Sequence, residues 1–135
     1  MKTYYTTLVL LLTSIYCQAQ SPEQNLKKLG ITLQEPNAPV ANYVNYVRTG
    51  NLIYFSGSGP SNEYKGVFKG KLGKDITIEE GAAAARHIGI NLIASLKNAV
   101  GDLNKVKRIV KVLGMVNSTE TFTDQLKVIN GFSDL

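Results

Sequence analysis

Residues 77–99 read TIEEGAAAARHIGINLIASLKNA and residues 101–116 read GDLNKVKRIVKVLGMV. The contrast between them decides the fold class. The first stretch is a helix marked at both ends. Thr77 is an N-cap with Glu80 three residues on, the spacing of a capping box, and Glu79 suits the positive end of the helix dipole. Ala82, Ala85, Gly89, Leu92, Leu96 and Ala99 recur in steps of three and four, which gives one apolar face at the helical period. Gly101 stands where a glycine ends a helix. Small residues from Ala82 to Ala85 and at Gly89 let this helix lie close against its neighbour. The second stretch changes period. Seven of the eleven residues of Val106–Val116 are apolar, and Ile109-Val110 with Val112-Leu113 put apolar groups on both faces. That predicts a central strand, covered by a helix on one face and by another element or subunit on the other.

Toward the N-terminus, Tyr43–Arg48 (YVNYVR) and Leu52–Ser56 (LIYFS) are β-branched and aromatic runs flanking Thr49, Gly50 and Asn51, which predicts a β-hairpin. A loop of small residues follows, Gly57 to Asn62, and Gly66–Leu72 reads as a short edge strand or extended loop. Toward the C-terminus a second helix is expected from near Thr123, with Asp124 in its first turn and Leu126, Ile129 and Phe132 facing inward. The order is β-β-α-β-α. A closing strand would pair with the sheet this helix covers, so the chain reads as about one strand short at Leu135.

Residues 20–36 form a leader. Three of the four prolines fall at 22, 36 and 39, a helical turn over Asn25–Leu29 ends at Gly30, and Ile31–Leu33 could be a short edge strand. Residues 1–19 read as a signal peptide: Lys2, an apolar run from Thr7 to Tyr16, and Cys17-Gln18-Ala19 before the expected cut. The run is shorter than the roughly twenty apolar residues a membrane span needs. Export to the periplasm or medium is expected, with no stable span after cleavage. A lipoprotein anchored through Cys17 ranks second, because Tyr16 is bulky where a small residue is wanted. Cutting after Ala19 leaves 116 residues, a charge of +4 in place of +5, and no cysteine, which suits an oxidising compartment.

The whole chain has 135 residues, 44% hydrophobic and 19% charged, enough for one domain, here residues 37–135. One cysteine and one histidine exclude a disulfide framework, a cysteine-rich zinc site and a His-His metal site. No metal and no cofactor are expected. His87 lies inside the first helix and reads as a surface or interface residue. Lys105, Lys107 and Lys111 share one strand parity, with Arg108 beside them, but no aromatic residue interleaves, so a solvated strand end is preferred over a nucleic-acid surface. Gly57-Ser58-Gly59 lacks the rest of any phosphate-loop pattern. What remains is a pocket near the second hairpin strand. There Ser56 supplies a hydroxyl, its glycine-rich continuation supplies exposed N–H groups, and Tyr43 supplies a phenol, groups that orient a small polar ligand and a water.

Four segments together resemble the RidA (YjgF-like) family: Ala38–Val44 with Gly50–Gly57; Ala83–Arg86 with Asn91-Leu92; Gly101–Val106; and Lys111–Asn117 with Phe122 and Val128–Phe132. The similarity spans about residues 36–135. It implies a chorismate-mutase-like α+β sandwich with two helices on one face of a mixed sheet, assembled as a homotrimer with ligand sites between subunits. It implies hydrolysis of enamine and imine intermediates to keto acids and ammonia. By the same resemblance Tyr43 and Ser56 match catalytic pocket residues, while Gly57 and Asn130 match substrate-binding ones. The family's carboxylate-binding arginine falls on a strand past Leu135, and none of Arg48, Arg86 and Arg108 matches it. The ligand implied is an imine, enamine or carboxylate. A non-catalytic trimeric ligand-binding module is the alternative, and a ribonuclease or RNA binder is the weaker one.

Overall fold

The computed structural model describes residues 21–36, 42–61 and 64–135. Residues 1–20, with the expected signal peptide and Cys17, lie outside the described residues, as do positions 37–41 and 62–63.

The leader forms helix α1 (Pro22–Lys28). Ser21 and Gln24 exchange side-chain-to-backbone hydrogen bonds at 3.2 Å, a complete capping box, and Pro22 occupies the first helical position, where its missing N–H costs nothing. At the other end Gly30 takes φ +67°, Ile31 N–H donates to Leu26 O and Gly30 N–H donates to Lys27 O. These two bonds are a Schellman stop. The expected turn is therefore a longer helix, with Gly30 ending it as expected. No strand follows at Ile31–Leu33.

Strands β1 (Tyr46–Thr49) and β2 (Leu52–Phe55) form the antiparallel hairpin, with Tyr46 opposite Phe55 and Thr49 opposite Leu52. Gly50 takes φ +54° at the first of the two turn residues, a conformation tight hairpin turns require and glycine adopts freely. Tyr46 and Phe55 add a tilted ring pair, centroids 6.0 Å apart.

Helix α2 (Ile78–Val100) carries the predicted ends. Thr77 Oγ1 accepts from Glu80 N–H at 3.2 Å, Glu80 Oε2 accepts from Thr77 N–H at 2.9 Å, and Gly101, at φ +77°, closes on Lys97 O. Replacing Thr77 by alanine removes one partner from this reciprocal pair. The expected loss is about 1 kcal/mol, read as a lower urea midpoint at unchanged m-value.

A 3₁₀ turn (Leu103–Lys105) follows, capped by Asp102. Helix α3 (Gln125–Ser133) then packs along α2. Glycines bring the two helices together. A Cβ at Gly81 would lie 3.0 Å from Leu72 Cδ2 and 3.2 Å from Val128 Cγ1, one at Gly89 would meet Phe132 and Leu135, and one at Gly131 would enter the Ala82 backbone. The core is correspondingly small-residued: Leu72, Ala84, Ala85, Ala94, Leu103 and Val128.

Two expectations are corrected. In α3 the inward residue is Val128, 4% exposed, whereas Leu126 is 80% exposed. The contact face runs through Val128, Gly131, Phe132 and Leu135, a step of three and four set by where glycine lets α3 approach. Residues 106–116 form no strand. A strand exists only through a paired neighbour, and this run meets none among the described residues. Pairing begins just after it, where Leu72 N–H donates to Asn117 O and Thr119 N–H to Leu72 O. The apolar side chains intended for two covered faces, Ile109, Val110, Val112, Leu113 and Met115, stand exposed. Of the two readings of Gly66–Leu72 the extended loop holds, with isolated bridges from Leu72 to Ile76 and Ser118.

Candidate functional site

The hairpin positions three of the four candidate residues. Ser56 continues β2 by one residue, and its N–H donates to Asn45 O at 3.0 Å. Its hydroxyl donates to Val44 O at 2.7 Å. That bond fixes the Ser56 rotamer and directs the oxygen's remaining lone pairs outward as acceptors. Tyr43 adjoins Val44 in sequence and is 46% exposed, with no hydrogen-bond partner for its phenol among the described residues. Gly57 follows Ser56 with open space where a side chain would stand, as does Gly59. Their backbones are open to a ligand.

Asn130 is elsewhere. It lies exposed on α3, and among the described residues no hydrogen bond links its side chain to the hairpin. Arginine is not gathered there either. Arg48 sits toward the turn end of β1, paired with Ile53, and its Nε donates to Gly50 O. Arg86 belongs to α2, and Arg108 is exposed in the 106–116 run. Among the described residues no cluster of three histidine, cysteine or acidic groups is placed to hold a metal. No described helix is long and apolar enough to cross a membrane.

The loop after Ser56 leads to a cluster that sequence reasoning missed. Ser61, 8% exposed, has its Oγ 2.8 Å from His87 Nε2, and Asn91 Nδ2 lies 3.1 Å from the same nitrogen. Tyr64 stacks its ring 4.8 Å from the imidazole, and its N–H donates to Ser61 O. His87 is thus half-buried and hydrogen-bonded rather than a bare surface residue. The i, i+4 spacing of His87 and Asn91 was visible in the sequence; the partner 26 residues upstream was not.

The cationic run is partly committed. Lys105 Nζ donates to Val100 O at the C-terminal end of α2, where a positive charge is favoured. Lys107, Arg108 and Lys111 are exposed without ion-pair partners among the described residues. Backbone and side-chain N–H groups of Asn104 hold the Asp102 carboxyl below its ordinary range. The hydrogen bond and charge of Asp124 raise the exposed Lys127 above its own.

Two close-packed helices beside an open hairpin, with a hydroxyl and a phenol at the hairpin's end, define an α+β protein of the chorismate-mutase-like class. The chain belongs to the YjgF family: the family model described as "YjgF/chorismate mutase-like, putative endoribonuclease" matches residues 23–135, beginning inside α1. Among curated proteins the chain is similar to Protein TCP17 of Trypanosoma cruzi, 45% identical over 111 residues, which are 82% of this chain and 69% of that one. Among solved structures it resembles "a putative endoribonuclease" from Shewanella oneidensis MR-1, at TM-score 0.79 and 36% identity over 85% of this chain and 76% of that one. It also resembles protein Atu1372 of unknown function from Agrobacterium tumefaciens, at TM-score 0.70 and 39% identity over 81% and 67% of the two chains.

Proposed function

We propose that this protein is an exported RidA-type hydrolase of enamine and imine intermediates, acting without a cofactor in pockets between the subunits of a homotrimer. The observation that carries the reading is the hairpin end, where a rotamer-fixed Ser56, an exposed Tyr43 and an open Gly57 backbone stand within a family chain. In the reaction a water oxygen adds to the imine carbon and a water proton passes to nitrogen. The carbinol hydroxyl then gives its proton to the amino nitrogen as the C–N bond breaks and the C=O forms, leaving a keto acid and ammonia. Ser56 Oγ, its own proton committed to Val44 O, accepts from the water or the imine N–H. The phenol moves the proton, and the Gly57 N–H orients the substrate. Asn130, distant from the hairpin within one chain, would join the pocket from a second subunit.

Exposed apolar side chains support the trimer. Ile109, Val110, Leu113 and Met115, with Val47 and Tyr54 of the hairpin, are apolar side chains left exposed on the single chain, which contact between subunits would cover. Light scattering on the purified protein should return three times the chain mass; a monomer would remove the intersubunit pocket. Export rests on residues 1–19, and the protein recovered from the periplasm should begin at Gln20.

The deciding assay supplies 2-aminoacrylate generated in situ and follows pyruvate. The native protein should accelerate its release over buffer, and Ser56→Ala or Tyr43→Phe should lower kcat/KM at least about tenfold, the loss of one catalytic hydrogen bond. No acceleration by the native protein sinks the hydrolase reading and leaves ligand binding alone. A second reading, RNA binding or cleavage, is favoured by the exposed Lys107, Arg108 and Lys111 and by the name of the Shewanella relative. It requires RNA affinity that falls in Lys107→Glu, Lys111→Glu.

A further inference from the structure

Among the described residues, the hydrogen bonds that hold the loop from Gly57 to Pro60 to the rest of the chain lie at its ends. At the near end Ser56 N–H completes the strand ladder on Asn45. Along the loop neither Gly57 nor Gly59 has an atom within 4 Å of the place a Cβ would occupy, and Ser58 bonds only its neighbour's carbonyl. At the far end Ser61 is buried and meets His87 on helix α2. Among the described residues, the other hydrogen bonds of residues 46–61 stay within the hairpin and the turn that follows it. Ser61–His87 is therefore, among the described residues, the hydrogen-bonded tie between the loop and the helical layer.

We propose that Ser61, His87 and Asn91 form a latch that fixes the Gly57–Pro60 loop against α2, making His87 a positioning residue for the backbone donors beside Ser56. Asn91, one helical turn from His87, directs an amide N–H at Nε2 and so makes that nitrogen the acceptor. The Ser61 hydroxyl, at 2.8 Å the nearer of the two, shares that nitrogen's one lone pair with the Asn91 amide, and the Tyr64 ring packs against the imidazole. Releasing Ser61 converts a short loop pinned at both ends into a longer segment free at one. Its glycines then sample the wide range of backbone angles open to them, and the N–H groups lose their common direction.

The latch itself is tested without substrate; its effect on the site rests on the hydrolase reading above. The full chain carrying Ser61→Ala, His87→Leu or His87→Gln is compared with the native protein by hydrogen exchange at the two hydrogen-bonded loop amides, Ser56 (to Asn45 O) and Tyr64 (to Ser61 O), and at helix residues 84–96. In Ser61→Ala and His87→Leu the loop amides should exchange roughly tenfold faster, the equivalent of one lost hydrogen bond, while the helix keeps its protection. His87→Gln, whose terminal amide can reach Ser61, should restore most of the native rate. KM for the imine should rise in the two loosened variants with kcat changed less, and fall back in the glutamine variant. Native loop exchange in both Ser61→Ala and His87→Leu overturns the latch, as does an increase spread equally through α2. A loosened loop with native KM overturns its role in positioning the donors. Absence of imine hydrolysis by the native protein counts against the hydrolase reading alone, because the exchange comparison still decides whether the latch exists.

Discussion

Replacing Gly131 by alanine is expected to destabilise the protein by about 3 kcal/mol, although the same change at an ordinary helical glycine would stabilise it. Alanine gains roughly 1 kcal/mol over glycine in a helix interior, because it loses less backbone freedom on folding. At Gly131 that gain meets the opposing helix. The added methyl would lie 2.7 Å from the Ala82 carbonyl carbon and 2.9 Å from its Cα, with the carbonyl oxygen closer still. These are main-chain atoms of α2 and cannot rotate aside as a side-chain tip can. The helices must therefore separate by about an ångström, and the separation spreads to the contacts of Gly81 with Val128 and of Gly89 with Phe132. Strain and lost dispersion at several places together exceed the propensity gain. Urea unfolding measures the result, with Ser133→Ala, exposed on the same helix, as the control expected to move stability by at most about 0.5 kcal/mol. A Gly131→Ala midpoint equal to or above the native one would mean that α2 and α3 are not in contact here.

The glycines explain how far the sequence could be read. Local signals were legible because local chemistry settles them: the Thr77–Glu80 capping box, the Gly101 and Gly30 stops and the Gly50 turn all stand where the sequence put them. What depends on a partner distant in the chain was not legible. Val106–Val116 has the composition of a covered strand, but composition does not supply the neighbouring strand. Apolar character alone places Leu126 inward, whereas the actual face of α3 follows the glycines that admit it. At the candidate site, the nearness of Tyr43 to Ser56 follows from the hairpin and was readable. Asn130 came only through family resemblance, and within one chain it stands apart. The Ser61–His87 pair is not legible in the sequence because neither residue is unusual until the loop brings them together.

Leu72→Ala is the second large effect, about 3–4 kcal/mol, at a residue outside every helix and strand. Leu72 is 5% exposed, and its Cδ atoms lie 3.0 and 3.4 Å from the position a Gly81 Cβ would occupy. Its side chain thus fills space that the glycine leaves on α2. Its backbone makes the bridge to Ser118, with N–H to Asn117 O at 3.0 Å and carbonyl from Thr119 N–H at 2.9 Å, and Asn117 Nδ2 reaches Gly70 O at 2.7 Å. One residue therefore joins the loop before α2, α2 itself and the segment leading into α3. Truncation removes about 2 kcal/mol of apolar burial and leaves a cavity beside Gly81. The glycine has no side chain to fall into that cavity, and the hydrogen bonds of Leu72 hold the backbone from closing it. Leu126, equally large and 80% exposed on α3, should tolerate the same substitution within about 0.5 kcal/mol. If the two alanine variants unfold at the same urea concentration, Leu72 does not occupy the junction and the helical layer must be held by other contacts.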